Sequence, residues 1–285
     1  MDFFVSTELT PQNQWQLELM IESFKTIGLE DKLLICIASR EDSKLLPEFS
    51  SNINNHARKF VHTNIGEVRG FEPLNKLYAV SFAMKDKALS DQFVMLDLDS
   101  IIFSKPQDIQ DQVFCRFQID PYFTPEFIDR KTGFKEHFGI DPKELTSEKW
   151  PSAYGTMFFG GFPSEFFDET INLCEQYIFN QIKSGKEPWS ESVNAAMNVQ
   201  LHKYVGKYNA LGTYELDCDL FSNHPKSFIS YRNGYMPIFS KNMFGFKPPE
   251  YFSFGNPFKV LSEYSPTMAF MRMSNVAKSY LEKPR

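Results

Sequence analysis

The sequence predicts an α/β fold, a mostly parallel central sheet flanked by helices, with an irregular C-terminal portion. Three observations lead there. Apolar runs at Phe3-Phe4-Val5, Leu33 to Ala38 and Phe93 to Leu96 are separated by segments of helical period, the chain order that builds a parallel sheet. The second run shows no in–out alternation, as expected of a strand covered on both faces. The third closes on two carboxylates, Asp97 and Asp99, set two residues apart.

The elements follow in order. Phe3-Phe4-Val5 forms a strand ending in Ser6 and Thr7. Past Pro11 a helix is predicted over Asn13 to Ile27, where Trp15, Leu19, Phe24 and Ile27 hold roughly helical spacing and Gly28 stops the run. Leu33 to Ala38 is the second strand, and a less regular stretch holding Phe60-Val61-His62 comes next. Gly70-Phe-Glu-Pro-Leu-Asn-Lys-Leu-Tyr starts a helix with Pro73 in its first turn, and Leu74, Leu77, Tyr78 and Phe82 keep its period toward the sheet. The strand ending in Asp97 and Asp99 follows directly. From Phe114 to Trp150, Pro, charge and aromatics mix in a way that suits a lid or insertion better than a sheet. Tyr154 to Phe162 returns to a strand-like run ending in Gly160-Gly161, Pro163 to Lys183 reads as an amphipathic helix, and Pro188 starts another.

With 285 residues, 42% of them hydrophobic, the chain can bury one large core, so a single domain is expected over 1–285. Thirty Phe are assigned mainly to that core, while Tyr and Trp near a pocket suit stacking on a ligand. A formal charge of −6 gives no support to a nucleic-acid partner, which needs a basic face. Cys36, Cys115, Cys174 and Cys218 are widely spaced, with no Cys-x-x-Cys, which fits a reduced intracellular protein. The opening Met-Asp-Phe-Phe-Val-Ser-Thr lacks the basic region of a signal peptide, and no apolar run approaches the ~20 residues of a transmembrane segment. A soluble, cytoplasmic protein is expected, with peripheral membrane association left open.

The chemistry concentrates in Phe93-Val-Met-Leu-Asp-Leu-Asp-Ser-Ile-Ile-Phe103. Strand alternation lets Asp97 and Asp99 share one side while Leu98 packs on the other. Such a pair suits Mn2+ or Mg2+, hard cations that keep positions for water and for the phosphates of a nucleotide. An Asp-x-Asp also caps ordinary turns. At the end of a buried strand, however, two charges need a partner to offset their desolvation.

The segment Val94-Met-Leu-Asp-Leu-Asp-Ser-Ile-Ile-Phe-Ser-Lys-Pro106 resembles the Asp-x-Asp motif of the GT-A glycosyltransferases, where it closes a hydrophobic strand and precedes an apolar, often Pro-terminated stretch. The likeness can be followed over roughly residues 1 to 240. It implies a single GT-A-type catalytic domain with a nucleotide-binding half, 1–106, and an acceptor-side half, 107–285. It further implies a hexosyl- or pentosyltransferase using a nucleotide-sugar donor, UDP-linked by family habit. The acceptor hydroxyl belongs to a glycan, a lipid-linked molecule or a protein, and inversion and retention stay open.

Residue by residue, the resemblance implies Asp99 as direct metal ligand, with Asp97 on ribose or metal. His224, in Ser222-Asn-His-Pro-Lys-Ser-Phe, is the best-placed third ligand, and equally reads as a surface histidine. Gly160 and Gly161 correspond to a strand end beside the donor sugar, or to a plain tight turn. Glu191, in Trp189-Ser-Glu-Ser-Val-Asn, is similar to the acidic residue facing the acceptor, although a first-turn acid also suits the helix dipole. Lys76 is placed to reach donor phosphates. Ser6 and Thr7, at a strand end, are placed to contact the nucleoside.

Two other classes compete. A haloacid-dehalogenase-like phosphatase would use Asp97 as nucleophile and Asp99 as acid. Against it, the motif lies after some ninety residues, Ser100 stands where that family has Gly, and no later Gly-Asp-x-x-x-Asp motif occurs. A sugar nucleotidyltransferase needs a Gly-rich, Arg-containing loop near the N-terminus, and Ser6 to Asn13 contains no glycine. A non-catalytic, carbohydrate-binding GT-A-like protein is the remaining alternative.

Overall fold

The computed structural model describes residues 1–8, 11–39, 51–63, 71–98, 100–102, 113–115, 124–145, 150–151, 153–155, 157–205 and 228–230. The architecture is α/β. A six-stranded sheet has the order β3-β2-β1-β4-β7-β6, formed by β1 (Asp2–Glu8), β2 (Leu33–Ser39), β3 (Lys59–Thr63), β4 (Gln92–Leu96), β6 (Val113–Cys115) and β7 (Met157–Gly160). β5 (Ser100–Ile102) and β8 (Phe228–Ser230) make a separate two-stranded sheet. β1 and β4 pair in parallel, whereas β7 runs antiparallel to both β4 and β6, so the sheet is mixed. Backbone proximity groups the chain into two compact units, the first Met1–Ser6, His62–Leu96 and Gln110–Thr213, the second Thr7–Val61, Asp97–Ile109 and Tyr214–Arg285.

In the first unit the core is aromatic. Phe93 stacks on Phe159 across the β4–β7 pair, centroids 5.1 Å apart, and Phe167 closes on both rings. Phe167 comes from α7 (Ser164–Lys183), which packs against α3 (Asn75–Lys85) and α8 (Ser190–Val205). Many of the phenylalanines are spent here, each fully buried ring contributing roughly 1.5–3 kcal/mol relative to exposure. On α3, Leu77 and Tyr78 are buried as expected, but Phe82 is 38% exposed and meets the His62 ring instead. Val80 and Ala83 take the inward positions.

The stretch from Phe114 to Trp150, expected to avoid the sheet, begins in β6, which pairs Phe114 with Phe158. Three residues are too short to leave a periodic signature. Beyond it, α4 (Pro125–Thr132), α5 (Phe134–Phe138) and α6 (Pro142–Leu145) wrap a cluster of Ile128, Phe134, Leu145 and Trp150 with Tyr177 and Val199. Thr124 caps α4 by accepting from Phe127 N, and Gly133 ends it at φ +69, a conformation open to glycine.

In the second unit α1 (Pro11–Thr26) buries Leu17, Met20, Ile21 and Phe24, one face at helical spacing. The Trp15 and Leu19 side chains lie outside what is described. β3 at the sheet edge was missed as a strand because Val61 is 46% exposed while His62 is buried. Cys36 and Cys174 are buried free thiols whose burial raises their pKa. No helix among the described residues is long and apolar enough to cross a membrane. Apart from β8, the expected irregular C-terminal portion lies outside the described residues.

Candidate active site

β4 carries Phe93 to Leu96 fully into the core, and the chain passes directly into half-buried Asp97. Val5 of β1 pairs with Leu96, and Ser6 is the next residue of β1. The carboxyl ends of parallel strands are where α/β sheets receive ligands. Ser6 is half-buried. Thr7 is buried and donates its hydroxyl to Glu8 O at 3.0 Å.

β7 reverses the direction of its neighbour. Met157 pairs with Met95 and Gly160 with Gln92. The chain therefore enters β7 at the carboxyl end of β4 and leaves at the amino end. Gly160, expected with Gly161 beside the donor sugar, stands opposite Gln92, four residues or about 13 Å from Leu96 along β4, and Gly161 follows it. Gly161 is exposed at φ +79 and donates its N–H to Asp91 O at 2.8 Å. Its φ lies in the left-handed region that favours glycine, and a Cβ there would meet no atom within 4 Å.

Residues 153–155 precede β7, whose first residue Met157 pairs with Met95 near the carboxyl end of β4, and a buried polar network is built on Pro151 and Tyr154. Lys76, in the first turn of α3, is buried; its Nζ donates to Tyr154 O at 2.9 Å and lies 5.1 Å from the centre of the Tyr154 ring. The Tyr154 hydroxyl donates to Pro73 O. Tyr154 N donates to Asn194 Oδ1 at 3.2 Å, and Asn194 Nδ2 donates to Glu191 Oε2 at 2.7 Å and Pro151 O at 3.0 Å. Asn198 Nδ2 adds bonds to Pro151 O at 3.1 Å and Asn194 O at 3.0 Å. Glu191, Asn194 and Asn198 share one face of α8. All three are buried, so each bond offsets a desolvation cost that would otherwise be large.

Lys76 and Glu191, singled out separately in the sequence, are thus the two ends of one hydrogen-bonded chain through Tyr154 and Asn194. A buried ammonium and a buried carboxylate held this way are equipped to bind an anion and to accept a proton. Tyr154 and Asn198 were not anticipated. The usable signal was two amides four residues apart in a helix otherwise built there of Val193, Ala195, Ala196, Met197 and Val199.

Asp99 and His224 lie outside the described residues. Their chain neighbours are informative: β5 begins at Ser100 and pairs antiparallel with β8, Ser100 opposite Ser230 and Ile102 opposite Phe228. Ile102 N donates to Ser23 Oγ at 3.3 Å, fastening β5 to α1. Phe228–Ser230 thereby lies beside Ser100, the residue directly after Asp99. Among the described residues no group of three His, Cys, Asp or Glu is placed to hold a metal.

No protein-family model matches the sequence, and no curated protein matches it either. Among solved structures, the chain is similar to a galactosyltransferase, LgtC, in complex with donor and acceptor sugar analogues, at 12% identity and TM-score 0.48, covering 100% of this chain and 98% of that one. An active-site mutant of LgtC aligns at 14% identity and TM-score 0.41 over 69% of this chain and 70% of that one. The apo structure of WbbM, a bifunctional glycosyltransferase, aligns at 10% identity and TM-score 0.48 over 97% of this chain and 51% of that one.

Proposed function

We propose that this protein is a GT-A-type glycosyltransferase that moves a sugar from a nucleotide-diphosphate donor, a UDP-sugar in the favoured case, to an acceptor hydroxyl. The observation that carries the reading is the Asp-x-Asp segment following the carboxyl end of β4, where Val5 of the parallel β1 is paired with Leu96 and β1 runs on through Ser6 and Thr7. The buried Lys76–Tyr154–Asn194–Glu191 chain, built on the segment that enters β7 at that same strand end, supports it. The chain 1–285 is read as one catalytic domain.

In this reading Ser6 and Thr7 contact the nucleoside, and Lys76 holds donor phosphate. Glu191, with Oε2 fixed by Asn194, accepts the proton of the acceptor hydroxyl or orients the acceptor. The half-buried Asp97 carboxylate at a strand end fits a hard divalent cation, Mn2+ or Mg2+, which Asp97, Asp99 and His224 would hold. Such an ion supplies charge compensation for the departing diphosphate.

The test is a panel of nucleotide sugars incubated with the full chain and Mn2+, with and without chelator. Metal-dependent release of nucleoside diphosphate, with a rise in Tm on donor binding, is expected. Phosphate released from a generic phosphoester would favour the phosphatase. Glycan binding with no turnover of any donor would favour a non-catalytic binder.

A further inference from the structure

None of the residues lining a second cavity in the first unit belongs to the network above. It lies where the end of α4 and α5 meet the C-terminal turns of α7, has a volume of about 190 Å³, and is lined by residues that include Gly133, His137, Tyr177, Asn180, Gln181 and Lys186. We infer that this cavity binds a single sugar residue.

On one wall the half-buried His137 ring stacks on Tyr177 at 4.8 Å and 27°, and Tyr177, 1% exposed, and Phe138 back it from the core side. Asn180 Nδ2 lies 3.0 Å from His137 Nδ1 and donates to it when the imidazole is neutral, which leaves Nε2 carrying the ring hydrogen. The partial burial that lowers the His137 pKa favours that neutral form. Gln181 is 2% exposed, and its Nε2 donates to Thr132 O at 3.1 Å, which fixes the amide's orientation. Its Oε1 is buried with no hydrogen-bond partner, a missing donor rather than a missing acceptor. Across the cavity, Lys186 Nζ sits 2.4 Å from where a Cβ on Gly133 would stand, so the absent side chain makes room for the ammonium. Glu136, also lining the cavity, keeps a carboxylate 4.0 Å from that Nζ.

These groups select the ligand's chemistry. A bare anion would satisfy Lys186 but would face Glu136 and leave the Gln181 need unmet. A cation would meet Lys183 and Lys186, both in the lining. Hydroxyl groups both donate and accept, which suits a lining of ammonium, carboxylate and amides, and the C–H face of a sugar ring suits the half-buried His137 ring. The inference does not depend on the transferase reading, since it uses neither Asp97 nor Glu191.

The test is an NMR titration of the isotopically labelled full chain with methyl glycosides of glucose, galactose and N-acetylglucosamine, and in parallel with inorganic phosphate. Saturable shifts of the Asn180 and Gln181 side-chain amides and the His137 ring are expected with at least one glycoside. In Lys186→Ala the affinity should fall at least about fivefold, the loss of one charged hydrogen bond. Asn180→Ala, also at a surface position, is a second variant expected to weaken binding with the fold intact. Shifts with phosphate alone would overturn the proposal in favour of an anion site. Absence of shifts with every glycoside, or glycoside affinity unchanged in both variants, would also overturn it.

Discussion

The Asn194 side-chain amide bonds to Glu191 Oε2 and to Pro151 O through one nitrogen, while its oxygen accepts from Tyr154 N, so a single buried side chain joins α8 to the segment that enters β7. Asn194→Ala should remove the bonds to Glu191 Oε2 and from Tyr154 N, while Pro151 O keeps its bond from Asn198, and lower stability by about 1–3 kcal/mol, read from urea unfolding. Asn194→Asp keeps the acceptor for Tyr154 but sets a second carboxylate against Glu191. Its deficit in urea unfolding should exceed that of Asn194→Ala, and an equal or smaller deficit would mean that the contact with Glu191 is not disturbed by the added carboxylate.

Lys76→Met separates structure from chemistry. Methionine preserves most of the buried stem and removes the ammonium that donates to Tyr154 O, so stability should change by no more than about 1–2 kcal/mol. Nucleotide-sugar turnover should fall much further, about tenfold or more, with the loss expressed in donor KM. A variant with full turnover would leave Lys76 a structural tie alone.

The metal prediction rests on residues quoted from the sequence. Asp99→Asn should abolish Mn2+-dependent donor hydrolysis while the thermal unfolding profile stays that of the parent. His224→Ala should raise the Mn2+ concentration needed for half-maximal rate by about tenfold or more, and more steeply in acid, because only neutral imidazole ligates. An unchanged Mn2+ requirement would remove His224 from the site.

His56 gives stability a pH dependence of its own. It is buried with Nε2 2.7 Å from Leu33 O and Nδ1 3.7 Å from Glu30, and burial holds its pKa below the ordinary 6.5. The unfolded chain therefore takes up the proton first. The contribution is fully present above the unfolded pKa and is lost as pH falls through it toward the folded value. Urea midpoints measured from about pH 7.5 to about pH 5.5 should decline, and His56→Gln should flatten that decline.

Gly161→Ala should cost about 1–2 kcal/mol through its positive φ and leave donor kinetics untouched. A loss of turnover without a loss of stability would instead restore the ligand-approach reading of this turn.

The strands and helices with long apolar runs were legible in the sequence: Phe3 to Val5, Leu33 to Ala38, Phe93 to Leu96 and the helix ending at Lys183 all form where their residue pattern puts them. β3 and β6 were not, because an edge strand exposes alternate residues and a three-residue strand has no period to read. Strand direction was hidden as well, and it decides the glycine pair: nothing in Met157 to Gly161 encodes which end of β4 it will meet. Lys76 and Glu191 were singled out separately, each by its resemblance to a charged residue of the GT-A enzymes. Their connection was not legible, since it runs through a backbone carbonyl and an amide far away in the chain.

α8 has a consequence beyond the site. Every residue from Glu191 to Leu201 is buried, so over this stretch the helix has no watered side at all. Its amide protons have no local route to solvent, and their exchange should report the opening of the whole surrounding unit rather than fraying. That makes the helix an internal clock: slow, uniform deuterium uptake across 191–201 would time the rarest opening of the first unit and would place its polar stripe in the last part of that unit to come apart.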